Sequence, residues 1–201
     1  MASELFPVTP APAFVKITST HQTNASIGQN LTPYVTDRGG HRWSFELDYA
    51  PLSRAQWTPL WAFLVSLRGR FGTFNFRLPN HAARGAVSDN ETITTHETTL
   101  AGSREITCEG FVPNQQNALR AGDFIRFGIT NKVFMVTEDI DANSDGECDI
   151  FIEPALTVDV PTGTAVDFEP IFQVSRTEDK LSVDFNNAQH YGVSLEFVES
   201  F

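Results

Sequence analysis

Trp43-Ser44-Phe45-Glu46-Leu47-Asp48-Tyr49, followed at once by Ala50-Pro51-Leu52-Ser53, decides how this chain is to be read. Apolar and polar residues alternate with period two. Trp43, Phe45, Leu47 and Tyr49 therefore share one face of a strand, and Ser44, Glu46 and Asp48 share the other. A strand with one dry and one wet face belongs in an antiparallel sheet. Pro51 closes it, and a helix opens immediately afterwards. Ser53 with Gln56 has capping-box spacing, and Leu52 with Trp57 has the spacing of a hydrophobic staple. Trp57, Leu60, Trp61, Leu64 and Leu67 follow at steps of three and four, which predicts a packed helix over about 53–68 with Gly69 as its stop. Pro59 removes an amide donor inside that span, so the first turn reads as separate, with Thr58 capping a second start and Pro59 in its tolerated first position.

Working outward, Phe14 to Thr18 and Phe71 to Phe76 read as strands on either side of this unit. Residues 83–105 are polar, rich in Thr and weakly periodic, and read as a connector or exposed hairpin. From Glu105 the β pattern returns in short pieces: Ile106 to Cys108, Phe124 to Phe127, Val133 to Thr137, Asp149 to Glu153 and Ala165 to Phe168. Turns at Ala121-Gly122-Asp123 and Asp145-Gly146 separate them, the spacing of a small barrel or sandwich. Three more strands are predicted at Ile171 to Val174, Leu181 to Phe185 and Val193 to Val198. In the last, Val193, Leu195 and Phe197 alternate with Ser194 and Glu196, so it needs a sheet to join. The fold class is therefore mainly β with one amphipathic helix (α+β). Residues 1–84 and 169–201 form a split, β-sandwich-like core domain, and residues 85–168 form an inserted acidic β-barrel or sandwich domain.

The 201 residues, 41% hydrophobic and including 17 Phe, supply a real core and exclude wholesale disorder. No run approaches the roughly 20 apolar residues that span a bilayer. The start, MASELFPVTPAPAF, lacks a basic segment and an apolar stretch, so no signal peptide is expected and folding is expected in a cytoplasm. Cys108 and Cys148 are expected reduced; two cysteines make neither a disulfide framework nor a zinc site, although one optional bridge stays open. The net charge of −11 argues against nucleic acid and anionic membrane as partners. That charge is uneven. Residues 1–84 carry eight Lys and Arg against four Asp and Glu, residues 85–168 four against 15, and residues 169–201 two against six.

The most tempting chemical motif is Asp141-Ala142-Asn143-Ser144-Asp145-Gly146, which matches the opening of a calcium loop. The closing bidentate acid should fall at Ile152, but it is Glu153, and the flanks read as strands. An acidic hairpin loop between Val133–Thr137 and Asp149–Glu153 is the preferred reading. No Gly-x-Ser-x-Gly is present, Cys108 has no local signature, and His21, His41, His81, His96 and His190 lack metal-site spacing and read as exposed or hydrogen-bonded structural groups. Arg68-Gly69-Arg70-Phe71-Gly72 lacks the lysine and strand-to-helix setting of a phosphate loop. Its basic and aromatic residues read as a helix stop and core strand before single-strand stacking, with Arg68, Arg70 and Arg77 available for ion pairs across a subunit contact. No catalytic, cofactor-binding or metal-ligating residue is assigned, no cofactor is expected, and the chain is read as non-enzymatic.

Three runs, Trp43 to Ala55, Trp61 to Arg70 and Phe74 to Asn80, resemble in order the small tail proteins of long-tailed bacteriophages, most of all the distal tail proteins. Leu119-Arg120-Ala121-Gly122-Asp123-Phe124-Ile125 and Ile152-Glu153-Pro154-Ala155-Leu156 resemble that group's second domain, where a Gly-Asp turn leads into a barrel strand. The resemblance implies a virion structural protein at the tail tip, assembled in the host bacterial cytoplasm. It implies self-association into a ring, expected to be a hexamer, that joins the tail tube to the baseplate or fibre hub. Tube, tape-measure, hub and fibre proteins would be its neighbours. Many distal tail proteins carry the second domain at the C-terminus, whereas here it reads as inserted. The alternative reading is a carbohydrate-binding β-module of a tail or cell-surface protein, against which the scarcity of Trp and Tyr in 105–168 weighs.

Overall fold

A computed structural model describes residues 4–27, 29–79, 85–87, 92–182, 184–185 and 191–201. In chain order the elements begin with β1 (Phe14–Ile27), β2 (Pro33–Leu52), helix α1 (Arg54–Ser66) and β3 (Thr73–Phe76). Six short strands follow: β4 (Thr94–Thr95), β5 (Glu105–Glu109), β6 (Phe124–Phe127), β7 (Val133–Val136), β8 (Glu147–Glu153) and β9 (Val166–Asp167). The chain ends with β10 (Phe172–Arg176), β11 (Asp184–Phe185) and β12 (Tyr191–Glu199). The protein is mainly β with one helix. It divides into two compact units, residues 1–76 with 173–200, and residues 77–172 with Phe201.

The first unit is a sheet in the order β1-β2-β12-β10-β3, with β11 paired to β12 and Leu5 running parallel beside Asn75. The C-terminal strand is central: β12 pairs antiparallel with β2 (Leu195↔Leu47, Phe197↔Phe45) and with β10 (Val198↔Ser175). Burial follows the alternation, with His41, Trp43, Phe45, Leu47 and Tyr49 of β2 and Val193, Leu195 and Phe197 of β12 all buried. Phe6, Phe45, Phe63, Phe74, Phe76 and Phe197 form one ring cluster. Phe74 and Phe197 lie 4.8 Å apart edge to face, Phe6 and Phe197 5.4 Å, and Phe45 and Phe76 5.0 Å. Helix α1 joins this cluster through Phe63, 5.5 Å from Phe74, and buries Trp57, Leu60 and Leu64.

Two details of α1 differ from the sequence expectation. The helix is continuous through Pro59, and Thr58 does not cap a second start; its hydroxyl donates back to the Arg54 carbonyl at 2.8 Å. At the N-terminus the Gln56 side chain accepts from the Ser53 amide at 3.0 Å. At the other end Arg68 and Gly69 both adopt positive φ. A Cβ on Gly69 would come within 3.0 Å of the Asp179 Cα, so the helix stop also needs glycine for lack of space.

The second unit is a sheet in the order β4-β5-β8-β7-β6-β9, and its two ends nearly meet. Thr94 bridges Ala165, the Thr95 amide donates to the Thr164 carbonyl at 3.0 Å, and the Val166 amide to the Ile93 carbonyl at 3.1 Å. The sheet therefore almost closes into a barrel, which satisfies strand edges that would otherwise be open. Its interior is filled by Ile93, Ile106, Cys108, Leu119, Ile125, Phe127, Phe134, Val136, Ile150 and Ile152. The expected connector is corrected here: Ile93 and Thr95, within the polar 83–105 stretch, are buried and supply the closing strand. A lone Ile among threonines gives a short strand almost no periodic signal. The turn before β6 is pinned by Asp123, itself buried, whose carboxylate accepts from the Arg120 amide at 2.9 Å and the Gly85 amide at 3.1 Å.

Strand lengths also differ from expectation. The predicted strand from Leu181 to Phe185 is reduced to Asp184–Phe185, with Val183 outside the described residues. The predicted strand at Phe14 to Thr18 extends to Ile27, and its partner starts at Pro33. Counted by compact unit, the first holds eight Lys and Arg against nine Asp and Glu, the second six against 16. The basic character of residues 1–84 is thus offset by the C-terminal strands that complete their unit, while the second unit remains strongly acidic.

Candidate functional site

The β1–β2 hairpin has two parts with different chemistry. In the stem, Phe14 to His21 pairs with His41 to Asp48 and one face packs on the core. The register then slips between His21 and Thr23, where β2 carries the extra residues that include Gly39 and Gly40. Gly39 sits at φ +71°, and its amide donates to Asp37 Oδ1 at 2.8 Å. A bulge of this kind bends the ribbon. Beyond it Thr23 to Ile27 pairs with Pro33 to Asp37, and every described residue of both strands is exposed.

The side chains of this arm are sorted by face. Ala25 stands opposite Val35, and Ile27 opposite Pro33, on one side; Asn24 opposite Thr36, and Ser26 opposite Tyr34, on the other. On β1 the apolar side carries on the same alternation that places Val15 and Ile17 toward the core. A core-type stripe thus runs past the end of the core, leaving Ile27 73% and Val35 65% exposed, with Leu31 at the tip 82% exposed. A two-stranded ribbon is marginal in water by itself, and a contiguous exposed apolar stripe is the kind of surface at which proteins, membranes or ligands bind.

At the top of the stem His21 and His41 are cross-strand partners with rings 4.6 Å apart, and His41 stacks edge-on to Trp43 at 4.6 Å. Ser19 Oγ lies 2.9 Å from His41 Nε2 and 3.3 Å from His21 Nε2. Their separation of 20 positions hid this pairing from a search for close sequence spacing. His81 and His190 lie outside the described residues.

His96 has a different setting. Its Nδ1 is 2.8 Å from Glu109 Oε2 and 3.5 Å from Glu147 Oε1 on the outer face of β5 and β8. The hydrogen bond to Glu109, then the charge of Glu147, raise its pKa above the ordinary value. On the inner face of the same strands Cys108 and Cys148 stand opposite each other as free thiols. Burial raises both, Cys148 to about 12, so both are poor nucleophiles at neutral pH.

Two side-chain oxygens of the calcium-like loop accept from backbone amides. Asp141 Oδ1 accepts from Asn117 at 2.6 Å, and Asn143 Oδ1 accepts from Asp145 at 2.8 Å and from Glu147 at 2.9 Å. They organise the long β7–β8 loop. Of the three arginines offered by the sequence for ion pairs across a subunit contact, Arg77 pairs with Glu169 of its own unit at 3.2 Å. The Arg70 amide donates to Asp179 Oδ1 at 3.0 Å.

No protein-family model and no curated protein matches the chain. No helix among the described residues is long and apolar enough to cross a membrane. The groove on the first unit lined by Arg176, Glu178, Lys180 and Glu196, about 280 Å³, is polar and open, unlike an apolar small-molecule pocket. The feature with the clearest physical demand is the arm.

Proposed function

We propose that this chain is a non-enzymatic structural protein of a bacteriophage tail tip that self-associates into a ring joining the tail tube to the baseplate or fibre hub. The observation that carries this is the amphipathic arm. Its apolar stripe, Ala25, Ile27, Pro33 and Val35, extends a core face beyond the core and lies exposed, which suits cover by a neighbouring subunit. In a closed ring each subunit offers one patch to a different patch on its neighbour, so one projecting ribbon per subunit suffices. The resemblance of Trp43 to Asn80 to distal tail proteins supplies the virion setting, the expected six-fold order, and the tube, tape-measure, hub and fibre proteins as neighbours.

Negative-stain electron microscopy and native mass spectrometry of the purified full chain test this. Rings of uniform copy number are expected, and they should dissociate when Ile27 and Val35 are both replaced by Asp. A protein that stays monomeric at high micromolar concentration, and is absent from the tail tip of its particle, overturns the proposal.

A further inference from the structure

Glu109 and Glu147 are direct partners on adjacent antiparallel strands, β5 and β8, and both side chains face outward. Like charges in direct opposition destabilise a sheet, so positive charge beside this pair would stabilise it. A single imidazolium cannot balance two carboxylates, and Glu97 adds further negative charge nearby. The arrangement favours a species carrying two charges in the same space.

The geometry suits one. His96 Nδ1, Glu109 Oε2 and Glu147 Oε1 lie within 4.8 Å of one another, the only such group of three among the described residues. Ligand atoms about 2.0–2.2 Å from a tetrahedral zinc ion are themselves roughly 3.3 Å apart. The observed separations of His96 Nδ1 from the two carboxylates, 2.8 and 3.5 Å, bracket that value. The ligands also sit on a fixed frame. The His96 amide donates to the Thr107 carbonyl at 2.9 Å, placing the imidazole beside β5 just past β4. Asn143 holds Glu147 from behind, accepting from its amide at 2.9 Å and offering Nδ2 to Oε2 at 3.5 Å, which leaves Oε1 turned toward His96. A ligating carboxylate oriented in this way by a hydrogen bond through its other oxygen is the usual second layer of a metal site.

We propose that His96, Glu109 and Glu147 form a binding site for a borderline divalent cation of the zinc type, with a fourth position open to water. One nitrogen and two carboxylate oxygens suit zinc, cobalt or manganese better than magnesium, which prefers an all-oxygen octahedron. The ion would tie β5 to β8 and, through His96, to β4, whose pairing with the β9 end closes the barrel.

The test is a titration of the EDTA-treated, dialysed full chain with zinc chloride, followed by calorimetry and amide chemical shifts. One saturable event is expected, centred on residues 96, 109 and 147, with a rise in melting temperature that follows zinc concentration. His96→Gln, Glu109→Gln and Glu147→Gln should each weaken it at least tenfold. All three alter exposed or half-exposed side chains, so folding is checked by circular dichroism and any one folded variant suffices. His21→Gln must leave the event unchanged, because the His21–His41 pair is the competing nitrogen source. Absence of saturable binding at millimolar zinc overturns the proposal, as do equal affinity in the three variants, an event abolished by His21→Gln, or an equal response to magnesium.

Discussion

The two units solve the problem of strand edges in opposite ways. In residues 77–172 a six-stranded sheet bends until β4 and β9 are joined through Thr94 and Ala165, and the dry face of every strand turns inward. In residues 1–76 with 173–200 the sheet stays open, and its outer hairpin continues well past its last buried residue, His41. A closed barrel has spent its pairing capacity on itself. An open sheet with an exposed amphipathic ribbon has kept some for a partner. On the ring proposal the arm of the first unit is the surface offered for assembly, and the second, more acidic unit has its sheet ends joined to each other.

Removal of residues 190–201 strikes that comparison hardest. It deletes β12 from between β2 and β10, and the first unit should fail to fold. Trp43, Trp57 and Trp61 all lie in that unit, so their fluorescence reports it directly. A soluble truncation that melts cooperatively by tryptophan emission would show that the open sheet does not depend on its central strand. Next in size, Phe127→Ala empties a fully buried site in the barrel and should cost about 3–5 kcal/mol in urea unfolding. A loss below about 1 kcal/mol would mean the barrel interior is looser than its burial implies. Asp123→Ala leaves the Arg120 and Gly85 amides without their acceptor and should cost about 1–3 kcal/mol.

Excising the arm sharpens the comparison from the other side. Joining His21 to His41 through Asn-Gly removes the bulge and the exposed ribbon beyond it, so stability should change by less than about 1 kcal/mol while self-association disappears. Persistence of the assembly, measured by light scattering, would move the interface elsewhere. The smallest effect belongs to His96 in the metal-free protein. Glu109 and then Glu147 raise its folded pKa above 6.5, so its contribution is fully present below about pH 6.5 and fades as pH rises through the raised value. In EDTA, His96→Gln should therefore lower the melting temperature slightly at about pH 5.5 and not at about pH 9. An equal deficit at both would mean that His96 acts by packing.

Much of the architecture was legible because it rests on local periodicity. Trp43 to Tyr49, Val193 to Val198 and Trp57 to Leu64 each announce a buried face through spacing alone. The helix limits follow from Ser53, Gln56 and Gly69. What escaped was carried by pairs distant in sequence. Ile93 and Thr95 have no periodic neighbours, and only the ladder to β5 makes them core. His96, Glu109 and Glu147 are separated by 13 and 38 positions, so no spacing rule finds them. The arm carries no strand signal either: Thr, Asn, Gln and Gly surround a few apolar residues, and pairing between its two halves makes them strand.

The sequence by itself determined that this is a β-rich chain with one helix, a strongly alternating central pair of strands and an acidic middle segment. Those are consequences of side-chain order along a strand or helix, where neighbours in space are neighbours in sequence. The tertiary structure decided which strands share a sheet, that one sheet closes while the other stays open, and which charged groups meet. Cross-strand pairing joins residues through hydrogen-bond register, and register is settled only when the whole face finds its core.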